Sequence, residues 1–329
     1  MLETQAALYI HHNGVGYSIG LVMFEPYGLK GWMCEIEAEA SHPYGAIDKV
    51  LHLLFVTDSR RLVIGASSKH LFEEIASNFA MFEVLYDGRT FDKIMQNTLF
   101  KKVFNVHSLL TPIEHLNLET RPLCAQALAL FAHYLKDTDT TAYAHPVFLE
   151  TTELMELGNN ALEQLEMTAI DFRVPSITKL LLTMSTPMGQ RLGRHRLFLP
   201  IRDSRELNRR LDWIEALNPH ALWFKERLEK IGDIELSWWQ LQSRRENQVD
   251  TFLQPFNMII EIQSYCLKHK LIHLLSSEML ADGWDVELKN HFQERQWLES
   301  QVALIRHTID WIAQIDVAVA SALNAQKYA

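Results

Sequence analysis

Cysteine is scarce in this chain of 329 residues: Cys34, Cys124 and Cys266 stand alone and far apart. No CxxC pair exists and no disulfide framework can be built, which excludes a cysteine-based metal module and points to a reducing, intracellular compartment. Long apolar runs are missing too. None approaches the roughly 18 residues that a membrane span requires, and the opening MLETQAALYI lacks the basic and apolar regions of a secretion signal. Positive charge is in deficit, since 31 Lys and Arg against 41 Asp and Glu give a net charge of −10. That balance argues against a dedicated nucleic-acid binder, because phosphate neutralisation needs clustered cations. A local basic patch remains compatible with it.

What is present is a foldable core. With 48% hydrophobic and 22% charged residues the chain is globular, and its length suits two domains. The halves read differently. AALYIHH and YSIGLVMF flank a turn at Asn13–Gly16, which is hairpin chemistry. GWMCEIEAEA alternates with period two, Ala46–Leu54 reads as a short helix, and RLVIGA reads as a buried strand before a helix at Ser67–Asn78. FEVLYD, residues 82–87, repeats the strand signal. These elements predict a mixed α/β domain over residues 1–120.

Residues 121–329 read as helical, with Pro187, Pro200, Pro219 and Pro255 as punctuation. Leu123–Leu135 is apolar on nearly every face, as a buried helix is. Near the end, Trp297, Ile305, Ile309, Ile312, Ile315 and Val319 mark one face of a single long helix.

Signatures of catalysis are absent. GxxxxGK[ST] occurs nowhere, and Gly14, Gly16 and Gly20 miss the GxGxxG spacing. His11 and His12 would point to opposite faces of a strand and lack partners at ligand spacing, so no metal site is expected. No GxSxG elbow is found, and the first strand carries none of the carboxylates that two-metal nuclease chemistry needs. No catalytic residue is assigned. The densest charge lies in residues 190–210, where seven arginines (191, 194, 196, 202, 205, 209 and 210) face Asp203 and Glu206. Such a run either touches phosphates or forms a solvated, salt-bridged face in which Arg202, Asp203, Arg205 and Glu206 neutralise one another.

The same stretch, LLLTMSTPMGQRLGRHRLFLPIRDSRELNRRLDWIEAL at 180–217, resembles the signature of the MutS mismatch-repair family. Thr186, Met188, Gly189, Arg191, Pro200, Asp203, Arg210 and Asp212 keep its pattern. Further blocks follow in the family's order: LGNNALEQLEM (157–167), LEKIGDIE (228–235), ADGWDVELKNHF (281–292) and IAQIDVAVASALNAQKYA (312–329). The resemblance implies an RNase H-like connector domain at 1–120 and a helical core or lever domain at 121–329, with the family's clamp largely missing. It also implies a non-catalytic role in coupling an ATPase domain outside these residues to DNA binding.

Several further expectations rest on that resemblance. Arg194, Arg196 and Arg202 are the candidate phosphate contacts, and DNA binding by this chain alone is expected to be weak. ATP and Mg²⁺ would belong to the parent protein, which would pair MutS-type subunits and engage a MutL-type partner. The setting would be the bacterial cytoplasm or the eukaryotic nucleus. The chain is expected to be an excised fragment, or else a divergent relative that serves as a protein-interaction scaffold with no DNA role.

Overall fold

A computed structural model of the chain describes residues 4–25, 30–57, 59–104, 106, 108–135, 143–149, 176–242, 249–275, 284–291 and 294–328. The chain divides into two compact units, Met1–Thr151 and Thr152–Ala329.

In the first unit, β1 (Thr4–His12) and β2 (Tyr17–Phe24) form the expected hairpin. Its turn holds Gly14 at φ +86°, a left-handed conformation that glycine adopts without a Cβ penalty. The Asn13 side chain accepts from the backbone nitrogens of Val15 and Gly16 at 3.0 Å each. β3 (Gly31–Glu37) adds antiparallel to β2. After α1 (Gly45–Val56), β4 (Ser59–Ala66) runs parallel to β1, with Leu8 opposite Ile64. The helix α2 (Lys69–Ile75) closes in a 3-10 turn, Ala76–Phe79, and β5 (Glu83–Tyr86) follows, parallel to β4. Next come α3 (Lys93–Val103), α4 (Pro112–His115), α5 (Pro122–Leu135) and the two-residue β6 (Val147–Phe148), which sequence patterning does not reveal. The sheet order is β5-β4-β1-β2-β3-β6.

Alternation along these strands fills both sheet faces. Ala7, Tyr9, Val22, Phe24, Met33 and Val63 bury against residues of α3, α4 and α5, while Leu8, Ile10, Leu21 and Ile64 on the alternate set are equally buried. The α5 helix therefore belongs to this unit. Sequence patterning ends the first domain at residue 120, before α5. The structure moves that boundary to residue 151, because the fully apolar face of Pro122–Leu135 is what covers the sheet.

The second unit is helical among its described residues. It comprises α6 (Ile177–Leu181), α7 (Pro187–Phe198), α8 (Ser204–Leu217), α9 (Ala221–Leu228), α10 (Ile234–Gln242), α11 (Val249–Lys268), α12 (Trp284–His291) and α13 (Arg295–Tyr328). Pro187 takes the first position of α7, where its missing N–H costs nothing. Pro200 follows the end of α7, and Pro219 sits in a short 3-10 turn. Pro255 departs from expectation: it lies inside α11, which continues through it. The α13 helix runs for 34 residues, about 50 Å at 1.5 Å per residue. Of its predicted stripe, Ile305, Ile309, Ile312, Ile315 and Val319 are buried and Trp297 is half-buried, in a unit where α13 packs on α7, α8 and α9. No described helix is long and apolar enough to cross a membrane, and the three cysteines are free and buried.

Candidate nucleic-acid interface and its buried brace

The residues of the 180–217 stretch divide by depth. At the start of α7, Thr186 is the N-cap, its hydroxyl accepting from Gly189 N at 2.9 Å. Its own donors go to a residue far away in sequence. Asp316 of α13, 1% exposed, accepts from Thr186 N and Thr186 Oγ1 at 2.7 Å each and from Ser185 N at 3.0 Å. Burial pushes the Asp316 carboxyl above the usual aspartate value, and the three donors recover only part of that shift. Met188 and Gly189 are buried beside it. A Cβ at Gly189 would overlap the Asp316 carboxylate, so glycine is what lets the two helices approach this closely.

One turn further along α7, Arg191 reaches the segment that precedes α10. Its guanidinium is bidentate to Asp233, at 2.9 and 3.1 Å, and also stands 2.7 Å from Glu235. Glu235 is 1% exposed. A planar fork shared between two carboxylates is geometry that lysine cannot reproduce. Asp233 does double duty by accepting from Leu236 N at the start of α10.

The remaining arginines lie nearer the surface. Arg194 sits over the ring of Phe198, 4.8 Å from its centroid. Arg196 is half-buried, and burial pulls its pKa down to about 10, with Arg210 adding to the shift and Glu206 opposing it. Arg202 and Arg205 are exposed. The local neutralisation expected among Arg202, Asp203, Arg205 and Glu206 does not form. Asp203 instead caps α8 by accepting from Arg205 N at 2.9 Å. Glu206 is claimed by Arg209 (2.7 and 2.9 Å) and Arg210 (2.8 Å) at helical i+3 and i+4 spacing. These pairs hold the Glu206 carboxyl down at about 2, the Arg209 bonds contributing most. Pro200 is half-buried between the helices and Asp212 is exposed on α8.

The structure thus brings Thr186, Gly189 and Arg191 of the signature into one polar brace, and of the candidate phosphate contacts it leaves Arg202 exposed and Arg194 and Arg196 half-buried. The partners Asp233, Glu235 and Asp316 are not singled out by composition or spacing. They lie within the LEKIGDIE and IAQIDVAVA blocks, so only the family resemblance points toward them. Of the other blocks, LGNNALEQLEM falls outside the described residues. From the block at 281–292, Trp284 is buried and donates from Nε1 to Gln301 at 3.0 Å. Among the described residues no group of three or more His, Cys, Asp or Glu could hold a metal ion.

Comparison with known proteins gives the brace a context. A family model described as MutS domain III matches residues 160–311. A putative DNA mismatch repair protein, a MutS homologue of Acanthamoeba polyphaga mimivirus, is 28% identical over 159 residues, covering 43% of this chain and 14% of the relative. The DNA mismatch repair protein MutS of Myxococcus xanthus is 31% identical over 138 residues, 39% of this chain and 16% of that protein. MutS of Caldanaerobacter subterraneus is 26% identical over 182 residues, 53% of this chain and 20% of that protein. The matched stretches therefore span about a seventh to a fifth of these relatives.

Proposed function

For a chain that belongs to the MutS family through residues 160–311, we propose a role as the connector and lever part of a DNA mismatch-repair or recombination protein. In this reading the first unit is the connector. Its sheet, three antiparallel strands β3-β2-β1 continued by parallel β4 and β5, supports an RNase H-like assignment. The second unit is the lever, and α13 transmits displacement along its length as one rigid body.

The observation that carries this reading is the brace. Asp316 ties α13 to the N-terminus of α7, and Arg191 ties α7 to the entry of α10. Three blocks that resemble the family, far apart in sequence, are joined by buried polar contacts. A lever needs such joints: a helix linked to its neighbours only by non-directional apolar packing slides more readily than one fixed by directional bonds at defined points.

The residues in hand do not suit a nucleotide site, because the phosphate-cradling GxxxxGK[ST] pattern is absent from all 329. ATP and Mg²⁺ are accordingly assigned to other parts of the full-length protein, as is pairing with a second MutS-type subunit and any MutL-type partner. DNA is the partner proposed for the cationic face of α7 and α8.

The test is duplex binding by the purified chain across a KCl series, together with ATP turnover. The reading expects micromolar or weaker affinity that falls with salt, the mark of phosphate contacts, and ATP turnover at background. Magnesium-dependent hydrolysis would overturn it. Absence of any salt-dependent DNA binding would favour the alternative role, a protein-interaction scaffold, for which the exposed Ile94, Leu109 and Leu110 of the first unit offer apolar contact surface.

A further inference from the structure

Three helices of the second unit, α7, α8 and α13, enclose a cleft of about 20 Å³, room for one water-sized group. Arg196, Arg209 and Arg210 line it together with Trp213 and Gln314. Three guanidinium groups meet one carboxylate here, a local excess of positive charge. That carboxylate is already committed, since both oxygens of Glu206 accept from Arg209 and Arg210. Arg196 feels that carboxylate only at a distance, as a partial offset to the burial of its own charge. Its Nε is buried and, among the described residues, has no hydrogen-bond partner. Even at a pKa of about 10 it stays a cation at neutral pH. A desolvated cation with a free donor is costly unless an anion completes it.

The shape of the surroundings selects among anions. The cleft is too small for a nucleoside and admits one oxygen-sized group, such as a single non-bridging oxygen of an oxyanion. Outside it the charge continues as a track. Arg205 and Arg209 are one turn apart on α8, about 6 Å along its axis, and Arg202 immediately precedes the helix. Arg202 and Arg205 are exposed, and among the described residues neither is engaged in an ion pair. A single acidic side chain would satisfy the cleft and leave this track empty, whereas a polyanion with regularly spaced charges satisfies both.

We infer that the cleft between α7, α8 and α13 seats a backbone phosphate of a nucleic-acid strand, held by Arg196, Arg209 and Arg210, with Arg205 and Arg202 meeting the neighbouring phosphates. This rests on the DNA-binding reading above and deepens it by moving the contact from Arg194, whose guanidinium lies over Phe198, to α8. Gln314 adds a point of control. Its Oε1 stands 3.4 Å from both Arg209 Nη1 and Nη2, so a phosphate that draws Arg209 inward also frees α13 from this hydrogen bond.

The experiment uses the full chain, a fluorescein-labelled duplex and anisotropy across a KCl series. The doubly substituted Arg205→Gln, Arg209→Gln protein alters exposed side chains and keeps Arg210–Glu206 intact. It is expected to bind about tenfold more weakly at low salt, with the log–log salt slope flattened by about 0.9 for each phosphate no longer neutralised. Arg60→Gln, which removes a cation exposed on the first unit, is expected to change neither. A second readout is the ¹⁵N-edited signal of the Arg196 Nε–H, expected to move on titration with inorganic phosphate and not with chloride at equal ionic strength. If the double variant binds duplex DNA like the parent, the cleft assignment falls while DNA binding stands. If no form binds DNA with salt dependence, both readings fall together. Binding of polyglutamate that is abolished in the double variant, with no DNA binding, would overturn the phosphate in favour of an acidic protein partner. An unmoved Arg196 signal would remove Arg196 from the site.

Discussion

Asp316 and Thr186 lie 130 residues apart in sequence, yet the Asp316 carboxylate accepts from both the backbone nitrogen and the hydroxyl of Thr186 at 2.7 Å. Both side chains are almost wholly buried. Thr186 in turn caps α7 through Gly189 N, so one carboxylate on α13 controls how α7 begins. Truncation in such a network strands donors in an apolar setting. Asp316→Ala would leave Ser185 N, Thr186 N and the Thr186 hydroxyl without their acceptor, and stability should fall by about 3 kcal/mol. Thr186→Ala should cost about 1–2 kcal/mol. The double variant should fall well short of the sum, because both changes remove the same hydrogen bonds. Urea midpoints of the four proteins measure this, and strict additivity would mean that the two residues are not coupled.

The same carboxylate should leave a mark on pH dependence. Burial raises the Asp316 pKa in the fold above its value of 3.8 in the unfolded chain, so the folded state holds the proton more tightly. Its contribution to stability is therefore greatest at low pH and declines as pH rises through the raised value. Glu206 behaves oppositely: with a folded pKa of about 2 against 4.5 unfolded, it stabilises above 4.5 and loses that effect as pH falls toward 2. Above about pH 4.5 the Glu206 contribution is constant, so between neutral pH and that point a change within this pair is assigned to Asp316, whose folded value is raised. The stability of the native protein relative to Asp316→Asn should accordingly increase as pH falls across that window, read from urea midpoints at matched ionic strength. A gap that does not change with pH would show that the carboxyl is not shifted.

Gly189 offers a steric test of the same joint. An added methyl would overlap the Asp316 carboxylate, which three donors hold in place, so Gly189→Ala should destabilise by about 2–3 kcal/mol. Helix propensity alone would favour alanine over glycine by about 1 kcal/mol, which makes the predicted sign diagnostic. In an Asp316→Ala background the carboxylate overlap is gone and only the Cβ of residue 316 remains, 2.9 Å away, so the substitution should become much less destabilising. Thermal melts of both pairs decide the matter, and a stabilising Gly189→Ala in the native background would exclude the close approach.

Arg191 binds two carboxylates of unequal depth, and the deeper one sets the cost. Arg191→Ala would take from Glu235, 1% exposed, the guanidinium that stands 2.7 Å away, and losing a charged partner at that depth should cost about 3–5 kcal/mol. Arg191→Lys keeps a charge and gives up the fork to Asp233, so its cost should be smaller, about 1–2 kcal/mol. Adding Glu235→Gln to Arg191→Ala should recover part of the stability by removing a negative charge from a buried position. No recovery in chemical denaturation would mean that Asp233, rather than Glu235, is the partner that matters.

Local chemistry makes much of this legible. The Asn13–Gly16 turn, the alternation in β1 and β2, the Thr186 cap and the α13 stripe are all set by neighbours within a few residues, and pattern reading reaches that far. It does not reach the partner of Thr186, because nothing near residue 186 names an aspartate on another helix. The domain boundary fails for a related reason. Apolar residues all round α5 say that it is buried, but not which unit buries it, and the structure packs it on the sheet of the first. In the arginine run, proximity in sequence misleads: Asp203 is spent on the α8 cap, leaving Glu206 to pair forward with Arg209 and Arg210.

The packing of α5 on the sheet rests on a single missing side chain. Gly20 of β2 lies against the backbone of Leu123 and Cys124, where any Cβ would overlap main-chain atoms. The Glu35 carboxylate of β3 fixes the same turn by accepting from Leu123 N and Cys124 N at 3.1 Å each, so the helix start cannot retreat without giving up its cap. Gly20→Ala should therefore cost about 3 kcal/mol, near the upper end for overpacking, and should speed hydrogen exchange of the α5 amides. Gly14 provides the contrast. It too departs from ordinary backbone, at φ +86°, but nothing lies within 4 Å of its would-be Cβ, so Gly14→Ala should cost only the left-handed strain of about 1–2 kcal/mol and leave α5 exchange unchanged. If the two substitutions gave the same exchange pattern, close approach at Gly20 could not be what seats α5, and the boundary at residue 151 would need another physical cause.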